Sequence, residues 1–411
     1  MGREPSPRAL GRPTAHVRHA VVRVRGDVAE RIRAGHPWVF REAMQRAPSG
    51  DTGSEIEVRD EPGELLGRGL LDTTSSIAVR IFTTDAERHI DAALIHERVA
   101  AAARLRARFP DLPAGAVRVL NAEADGIPGA TCDRFGDFLV VHLFTPALER
   151  FEAALLDALE QHHSPRGVYV QRRYQPMTPG RARPGAEHVR GEVAPLEVEA
   201  REDEQVFAVD VTAPLAPGLF LDMREGRRLV RARAAGLRVL NCFSYTGALA
   251  VAAACGGAQR VTSLDLLAKA HARARANFER NGVDPKTHDF LVGDALVTLD
   301  RLASRGHRYD MVILDPPTFA AGKGRPFSAL RDYAPLVARA ISALEPDGLL
   351  FAASNARRLG ADEFDRALAE GAAQAGTTLR IVERRGQPPD FPSLPALPES
   401  NYLKITLAMR L

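Results

Sequence analysis

The sequence of 411 residues is poor in cysteine, lysine and tryptophan and has no long apolar run. Its three cysteines, Cys132, Cys242 and Cys255, form neither an even set nor a Cys-x-x-Cys pair, which argues against a disulfide framework and a structural zinc site. No stretch approaches the roughly 18 uninterrupted apolar residues of a membrane helix, and no apolar segment follows the N-terminal arginines as in a signal peptide. We therefore predict a cytoplasmic protein without a metal centre or a membrane segment.

Positive charge is concentrated at the N-terminus. The net charge of the whole chain is only +3, but residues 1–50 contain ten arginines and four acidic residues. This imbalance predicts a polyanionic partner such as a nucleic acid. A codon bias toward arginine is the alternative explanation, because lysine is rare along the whole chain.

The chain is long enough for two to three domains of roughly 100 to 200 residues each. We predict a disordered tail over residues 1–16, a small β module over 17–85 and a central α+β domain over 86–214, with an exposed loop at 175–191. From 215 to 411 apolar runs alternate with helical patterns, which predicts an α/β domain with a doubly wound sheet. The seven predicted strands are 238–242, 260–264, 289–292, 311–314, 348–353, 379–383 and 402–408.

Ligands of such a sheet bind beyond the carboxyl ends of its strands. The turn after the first strand lacks two glycines of the Gly-x-Gly-x-x-Gly loop that lets a backbone approach a pyrophosphate. Asp265, at the end of the second strand, is placed to accept hydrogen bonds from two ribose hydroxyls, and Asp294, after the third, suits an adenine amino group. Acids around a nucleoside without a phosphate cradle favour S-adenosylmethionine, whose sulfonium is cationic. The turn itself reads Asn241, Cys242, Phe243, Ser244, Tyr245, Thr246 and Gly247.

Two further motifs follow the fourth and fifth strands. The fourth ends in Asp315-Pro316-Pro317-Thr318-Phe319 and the fifth in Ser354-Asn355. A single aspartate at a strand end is most often a helix cap or solvated. The order and spacing of all these elements together make the pattern specific.

These residues resemble the class I S-adenosylmethionine-dependent methyltransferases, which have a Rossmann-like domain with a seven-stranded mixed sheet. The segment 219–224 is similar to one in the large-subunit ribosomal RNA methyltransferases, and implies that Phe220, Asp222 and Arg224 help to close the cofactor pocket. In the front half, residues 35–38 resemble the PUA RNA-binding domain, a small β-barrel, and residues 121–137 are similar to the central domain of the same group. The resemblance implies a cytoplasmic enzyme that methylates 23S ribosomal RNA. Members are often dimeric, so a homodimer is among the expectations.

The sequence differs from the PUA-bearing relatives that it resembles in one respect, the absence of a cysteine just after the fifth strand. Those relatives make 5-methylcytosine, for which a cysteine just after the fifth strand adds to carbon 6. Here that segment has no cysteine, and its Ser-Asn-x-Arg-Arg pattern is similar to the branch that methylates guanine N7. That resemblance implies a catalytic set and a substrate-binding set. The first is Asp315, Pro316, Pro317 and Asn355, with Asp315 also at the cofactor; the second is Phe319, stacking on the base, with Lys323, Arg331, Ser354 and Arg357.

Three alternatives remain open from the sequence. Methylation of an exocyclic amine also uses an Asp-Pro-Pro motif followed by an aromatic residue, although here Thr318 intervenes. Methylation of cytosine carbon 5 would need a route that the residues do not show. A non-catalytic RNA-binding assembly factor that retains the fold would also explain the missing cysteine.

Overall fold

The computed structural model describes residues 20–46, 48–175, 184–320 and 327–411. The predicted tail over 1–16 and part of the predicted loop at 175–191 lie outside these ranges. Within the described ranges no helix has the length and apolar character needed to cross a membrane. The same residues contain no cluster of three or more His, Cys, Asp or Glu suited to a metal ion.

The N-terminal module is a five-stranded sheet with the strand order β1-β3-β4-β5-β2. Alternate residues such as Val22, Ile56 and Val79 point into one core. A bridge between Val24 and Met44 joins the segments beyond the two edge strands, so the sheet curls toward a barrel. Its elements are β1 (Ala20–Arg23), α1 (Gly26–Arg33), β2 (Trp38–Phe40), β3 (Glu55–Arg59), β4 (Leu65–Leu71) and β5 (Ile77–Thr83).

The central region has a mixed sheet with the order β10-β9-β8-β7-β6. One face, including Cys132 and Val141, packs on α2 and α3, and part of the other, including Phe138 and Tyr169, joins the core of the C-terminal region. Its elements are α2 (Ala92–Arg106), β6 (Ala116–Asn121), β7 (Ala130–Phe135), β8 (Phe138–Leu143), α3 (Glu152–His163), β9 (Gly167–Arg172), β10 (Glu187–Gly191) and the hairpin β11 (Val198–Glu202) and β12 (Gln205–Val209).

The predicted exposed loop at 175–191 is wrong at its end, because residues 187–191 form β10. This strand pairs antiparallel with β9, placing Glu187 opposite Val170, and thereby satisfies the free edge of β9. Its side chains are exposed or only partly buried. The segment therefore carries no apolar alternation from which a strand can be predicted.

The C-terminal region contains the predicted seven-stranded sheet, in the order β15-β14-β13-β16-β19-β21-β20. Neighbours among the first five strands are parallel, and β21 is antiparallel to both β19 and β20. Its strands are β13 (Arg238–Cys242), β14 (Arg260–Asp265), β15 (Asp289–Val292), β16 (Tyr309–Leu314), β19 (Leu344–Ser354), β20 (Leu379–Arg385) and β21 (Lys404–Arg410), beside a short ribbon of β17 (Phe319–Ala320) and β18 (Phe327–Ser328). Its helices are α4 (Arg224–Arg233), α5 (Ala248–Cys255), α6 (Ala268–Arg280), α7 (Ala295–Ser304), α8 (Ala329–Ser342) and α9 (Ala361–Gln374).

A buried ionic network fixes the C-terminal region on the central sheet. Arg224 donates to both carboxylate oxygens of Asp390, at 2.7 and 3.1 Å, and to the carbonyl of Ala116 on β6 at 2.6 Å. Arg227 donates two bonds of 2.6 Å to Glu202 at the end of β11. We call Arg224, Arg227, Glu202 and Asp390 the interdomain network. It binds the loop between β20 and β21 to the central region.

Candidate active site

The turn after β13 holds three residues in the left-handed backbone region. The φ angle is 59° at Phe243, 48° at Tyr245 and 79° at Gly247. Side chains other than glycine rarely adopt this region, and such strain concentrates at functional sites. At Gly247 a Cβ would lie 2.9 Å from the Cβ of Ala274 on α6, so a larger residue would force the helix away. The strained backbone and the tight packing together indicate a binding turn.

The carboxylate of Asp265 joins this turn to the next strand. Its two oxygens accept N–H bonds from Tyr245 at 2.8 Å and Leu267 at 3.0 Å, and its carbonyl accepts the N–H of Gly293 at 2.9 Å. A carboxylate offers about four acceptor sites. Acceptor sites therefore remain for ribose hydroxyls at the point where β13, β14 and β15 end.

Exposed apolar side chains flank the two strand-end acids. Leu266 and Leu267, which follow Asp265, are 50% and 60% exposed, and Val292, two residues before Asp294, is 56% exposed. Asp294 caps α7 by accepting the N–H of Val297 at 3.2 Å. Apolar groups left open beside polar ones are typical of a ligand site. They would provide walls for the adenine ring of a bound cofactor. The sequence analysis did not predict them, although apolar residues directly beside an acid at a strand end are a usable signal.

Several polar atoms at these strand ends are buried without a hydrogen-bond partner in the described parts of the chain. They include both amide atoms of Asn241 within β13 and the hydroxyl of Ser244 in the turn. Leaving such atoms unpaired costs about 1–3 kcal/mol each. A bound polar ligand with its ordered water would supply the missing partners. This feature, the acid Asp265 and the apolar walls fit S-adenosylmethionine.

The predicted pocket-closing segment lies against the same turn. The hydroxyl of Thr246 donates to the carbonyl of Gly218 at 2.5 Å, and the half-exposed ring of Phe220 lies 5.7 Å from the ring of Tyr245. Phe220 therefore stands where it can cover a ligand held by the turn.

A second set of contacts lies where β16 and β19 end, around Asp315 and Asn355. The hydroxyl of Thr318 donates to the Asn355 side chain at 2.9 Å, and the hydroxyl of Tyr402 donates to Asp222 at 2.8 Å. The ammonium of Lys404 donates to the carbonyls of Ala356 at 2.8 Å and Tyr402 at 2.7 Å. The negative charge of Asp222 also acts on Asp315. We call this set the catalytic rim; it comprises Asp222, Asp315, Thr318, Asn355, Tyr402 and Lys404.

The two acids of the catalytic rim are poorly neutralised. Burial and, to a smaller extent, the negative charge of Asp222 raise the pKa of Asp315 to about 7, and Arg227 opposes the shift. Burial also raises the pKa of Asp222, while the hydrogen bond from Tyr402 and the charge of Arg118 lower it. A strongly raised carboxyl pKa in a cleft is typical of a functional acid.

Two predicted site residues are wrong as ligand contacts. Arg224 has no exposed surface, and its guanidinium is occupied by Asp390, Glu202 and a backbone carbonyl. Ser354 is 1% exposed, and its hydroxyl accepts the N–H of Ala356 at 3.3 Å. The first residue fixes the domain interface and the second closes a turn, so neither side chain reaches a substrate or cofactor.

The other predicted site residues differ in their exposure and in their contacts. In the Asp-Pro-Pro motif, Pro316 is buried and Pro317 is exposed. Arg357 lies over the ring of Tyr402 at 5.7 Å from its centroid, and Arg331, in the first turn of α8, pairs with Asp332 at 2.7 Å. The side chain of Phe319 and the whole of Lys323 lie outside the described residues.

None of the three cysteines lies at the end of β19. Cys242 is buried within β13, where burial raises the pKa of its thiol to about 12. Cys132 is buried in β7 with a pKa raised well above its ordinary value, and Cys255 ends α5. A thiolate nucleophile is therefore not available at the catalytic rim.

Comparisons with known proteins identify the family of the chain. Residues 126–405 match the family of S-adenosylmethionine-dependent methyltransferases, and residues 22–84 match the PUA-like domain. The chain is 33% identical over 378 residues to ribosomal RNA large subunit methyltransferase I of Klebsiella pneumoniae (strain 342), covering 90% of this chain and 93% of that protein. The protein of the same name from Salmonella typhi is 33% identical over 380 residues, covering 90% of this chain and 92% of that protein.

Solved structures also share the methyltransferase fold. A methyltransferase complexed with SAH (S-adenosylhomocysteine) is 25% identical and has a TM-score of 0.86, covering 95% of this chain and 99% of that chain. An S-adenosylmethionine-dependent methyltransferase structure from Streptococcus mutans shares the fold at a TM-score of 0.84, with 24% identity and coverage of 95% and 99%. The chain belongs to the S-adenosylmethionine-dependent methyltransferase family, and S-adenosylmethionine is its cofactor.

Proposed function

We propose that this chain methylates a base of 23S ribosomal RNA in the cytoplasm and that the target atom is guanine N7. An RNA substrate is supported by the names of its relatives, by the PUA-like module and by the ten arginines among residues 1–50. The homodimer expected from the resemblance stays a prediction.

The arrangement of the cysteines carries the choice of atom. Cytosine carbon 5 becomes nucleophilic only after a thiolate adds to carbon 6. At the end of β19 the chain instead offers the buried Ser354 and the exposed Asn355. A buried thiol with a pKa of about 12, as in Cys242, is protonated at neutral pH and inert.

Guanine N7 needs no such activation. It has an in-plane lone pair and carries no proton, so its methylation requires neither a covalent intermediate nor a base that removes a proton. S-adenosylmethionine, when bound, supplies an electrophilic methyl group on a cationic sulfur. The work left to the chain is to hold the base in line and to stabilise the positive charge that develops on the purine.

The catalytic rim suits that work. Asn355 is exposed and is oriented by the hydroxyl of Thr318, so its amide can hydrogen-bond the edge of the base. Asp315, with a pKa of about 7, supplies a carboxylate that faces little competing positive charge and can stabilise a cationic purine. At the other end of the site, Asp265 holds the ribose and Leu266 and Val292 bound the adenine.

The test is nucleoside mass spectrometry of 23S ribosomal RNA from cells with and without the gene, repeated with purified protein on the unmodified RNA. We expect loss of one 7-methylguanosine and its restoration in vitro by the wild type but not by Asp315→Asn. A missing 5-methylcytidine, or a protein–RNA adduct that survives denaturation, would show that the N7 assignment is wrong. A missing N2-methylguanosine would move the assignment to the exocyclic amine, and no change with any RNA would favour the assembly factor.

A further inference from the structure

The only lysine in the catalytic rim has no role in the reaction described so far. Lys404 is the first residue of β21 and lies opposite Ser354 of β19 in the sheet register. Two of its three N–H donors reach the carbonyls of Ala356 and Tyr402. Among the described residues it forms no ion pair with a carboxylate, and its third donor meets no protein acceptor.

Such an ammonium is costly to keep. Burial lowers the pKa of Lys404 to about 8, so the amine remains mostly protonated at neutral pH. A partly buried cation without a counter-ion destabilises a fold unless a ligand completes its hydrogen bonds. The pairing of most other buried cations, such as Arg224 with Asp390, shows that the chain usually avoids this cost.

The position of Lys404 points to the target base. Its bond to Ala356 connects it to Asn355, which Thr318 links to the Asp315 motif. Its bond to Tyr402 connects it to Asp222, whose charge acts on Asp315. The ammonium is thus part of the catalytic rim, where the proposed function places the base.

We propose that Lys404 determines base specificity by donating its third N–H to O6, the exocyclic carbonyl oxygen of the target guanine. This inference rests on the proposed function. O6 neighbours N7 on the same edge of guanine, whereas adenine presents an amino donor there. A fixed ammonium therefore accepts guanine and rejects adenine, and it leaves the N7 lone pair free.

The test combines changes in the protein with changes in the RNA. The target guanosine is replaced by inosine, which keeps O6 and N7, or by 2-aminopurine riboside, which keeps N7 and lacks O6. With the wild type we expect inosine to react within a few-fold of guanosine and 2-aminopurine to lower kcat/KM about 10- to 100-fold, as for loss of a hydrogen bond to a charged group. Lys404→Met should lose about as much on guanosine and show little further loss on 2-aminopurine.

Two controls separate recognition from a structural role. Lys404→Arg retains a cation and should keep part of the 2-aminopurine discrimination, and both variants should bind S-adenosylhomocysteine with wild-type affinity. Full discrimination in Lys404→Met would show that Lys404 only ties the backbone together. Equal rates of the wild type on guanosine and 2-aminopurine would refute the O6 contact whether or not any variant folds.

The product formed on guanosine keeps this test apart from that of the proposed function. If the wild type makes N2-methylguanosine, the proposed atom is wrong, while the 2-aminopurine comparison still measures the Lys404 contact. If 7-methylguanosine forms without any O6 dependence, the proposed function stands and the Lys404 inference fails. A 5-methylcytidine product removes both.

Discussion

Asp222 of the catalytic rim lies two residues before Arg224 of the interdomain network, yet charges are neutralised differently in the two sets. In the interdomain network each cation meets a carboxylate at 3.3 Å or less. In the catalytic rim the charge of Asp222 raises the pKa of Asp315, and Lys404 has no carboxylate partner among the described residues. Fully paired charges hold the domains together, and unpaired charges mark the place that a ligand completes.

The difference has a physical basis. Moving a charge out of water costs several kcal/mol, and only a well-placed partner recovers that cost. In the interdomain network the partners are built into the chain, so the arrangement is complete before any ligand binds. In the catalytic rim the proposed function implies that the cost would be recovered when cofactor and base bind, so that binding also positions the reactants.

Breaking the interdomain network should have the largest effect. Asp390→Ala leaves the buried Arg224 guanidinium with the carbonyl of Ala116 and a single carboxylate contact, at 3.3 Å to Glu202, so we expect about 3–5 kcal/mol less free energy of unfolding. Urea titration followed by circular dichroism measures this change. The matched control is Asp365→Ala, which breaks an exposed bidentate pair with Arg384 and should cost about 1 kcal/mol or less. Equal losses would mean that burial does not distinguish the two pairs.

Removing the charge of the catalytic rim should cost activity and not stability. Asp315→Asn should lower kcat/KM about 100- to 1,000-fold in a methylation assay. In the wild type kcat/KM should rise with pH through about 7 as Asp315 ionises, and the variant should lack this rise. The exposed Asp300→Asn on α7 is the control and should change neither quantity.

The same substitution predicts a pH-dependent stability. The pKa of Asp315 is higher in the folded chain, about 7, than its ordinary value of 3.8, so the folded state binds this proton more tightly. The resulting stability is fully present below pH 3.8 and is lost as the pH rises through 7. Asp315→Asn should therefore gain stability relative to the wild type at pH 8 but not at pH 4, as measured by the difference in Tm. A lower Tm at pH 8 would contradict the unpaired-charge interpretation.

The affinity for the cofactor tests the Asp265 end of the site, where the chain itself already uses part of the hydrogen-bonding capacity of the carboxylate. Asp265 already accepts two N–H bonds from the chain, so Asp265→Ala should loosen the turn as well as remove the proposed ribose contacts. We expect about 10- to 100-fold weaker binding of S-adenosylhomocysteine by calorimetry. Asp294→Asn keeps a capping oxygen on α7 and should lose less. Unchanged affinity in Asp265→Ala would place the ribose elsewhere.

The sequence is sufficient to predict much of this fold. Strands such as β13 and β15 are predicted to the residue, because buried parallel strands are short apolar runs between turn residues. Helix α4 was missed because its buried face includes Arg224 and Arg227, which count as polar in any periodicity analysis. Strand β10 was missed because it is an exposed edge.

Some residues of the candidate site could be predicted from the sequence, and others could not. Asp265 and Asp315 were predictable because strand ends in a parallel sheet meet at one edge. Lys404 and Tyr402 were not, because they lie at and just before the start of β21, which is antiparallel to β19 and enters the sheet from the opposite direction. The assignment of Arg224 failed because its partners lie 22 and 166 residues away in sequence. Pairing of charges across domains is a property of packing and has no local pattern.

We expect the smallest effect from breaking the exposed ion pairs of two arginines on α8. Arg331 and Arg339 both lie on α8 and both pair with an aspartate, but Arg331 is in the first turn, which follows the β17–β18 ribbon after the Asp315 motif. If Arg331 contacts an RNA phosphate, Arg331→Ala should weaken RNA binding a few-fold and reduce the slope of log affinity against log salt by about 1. Arg339→Ala should leave that slope unchanged. If the slope is unchanged in both variants, the RNA does not reach α8, and recognition is confined to the catalytic rim and the N-terminal module.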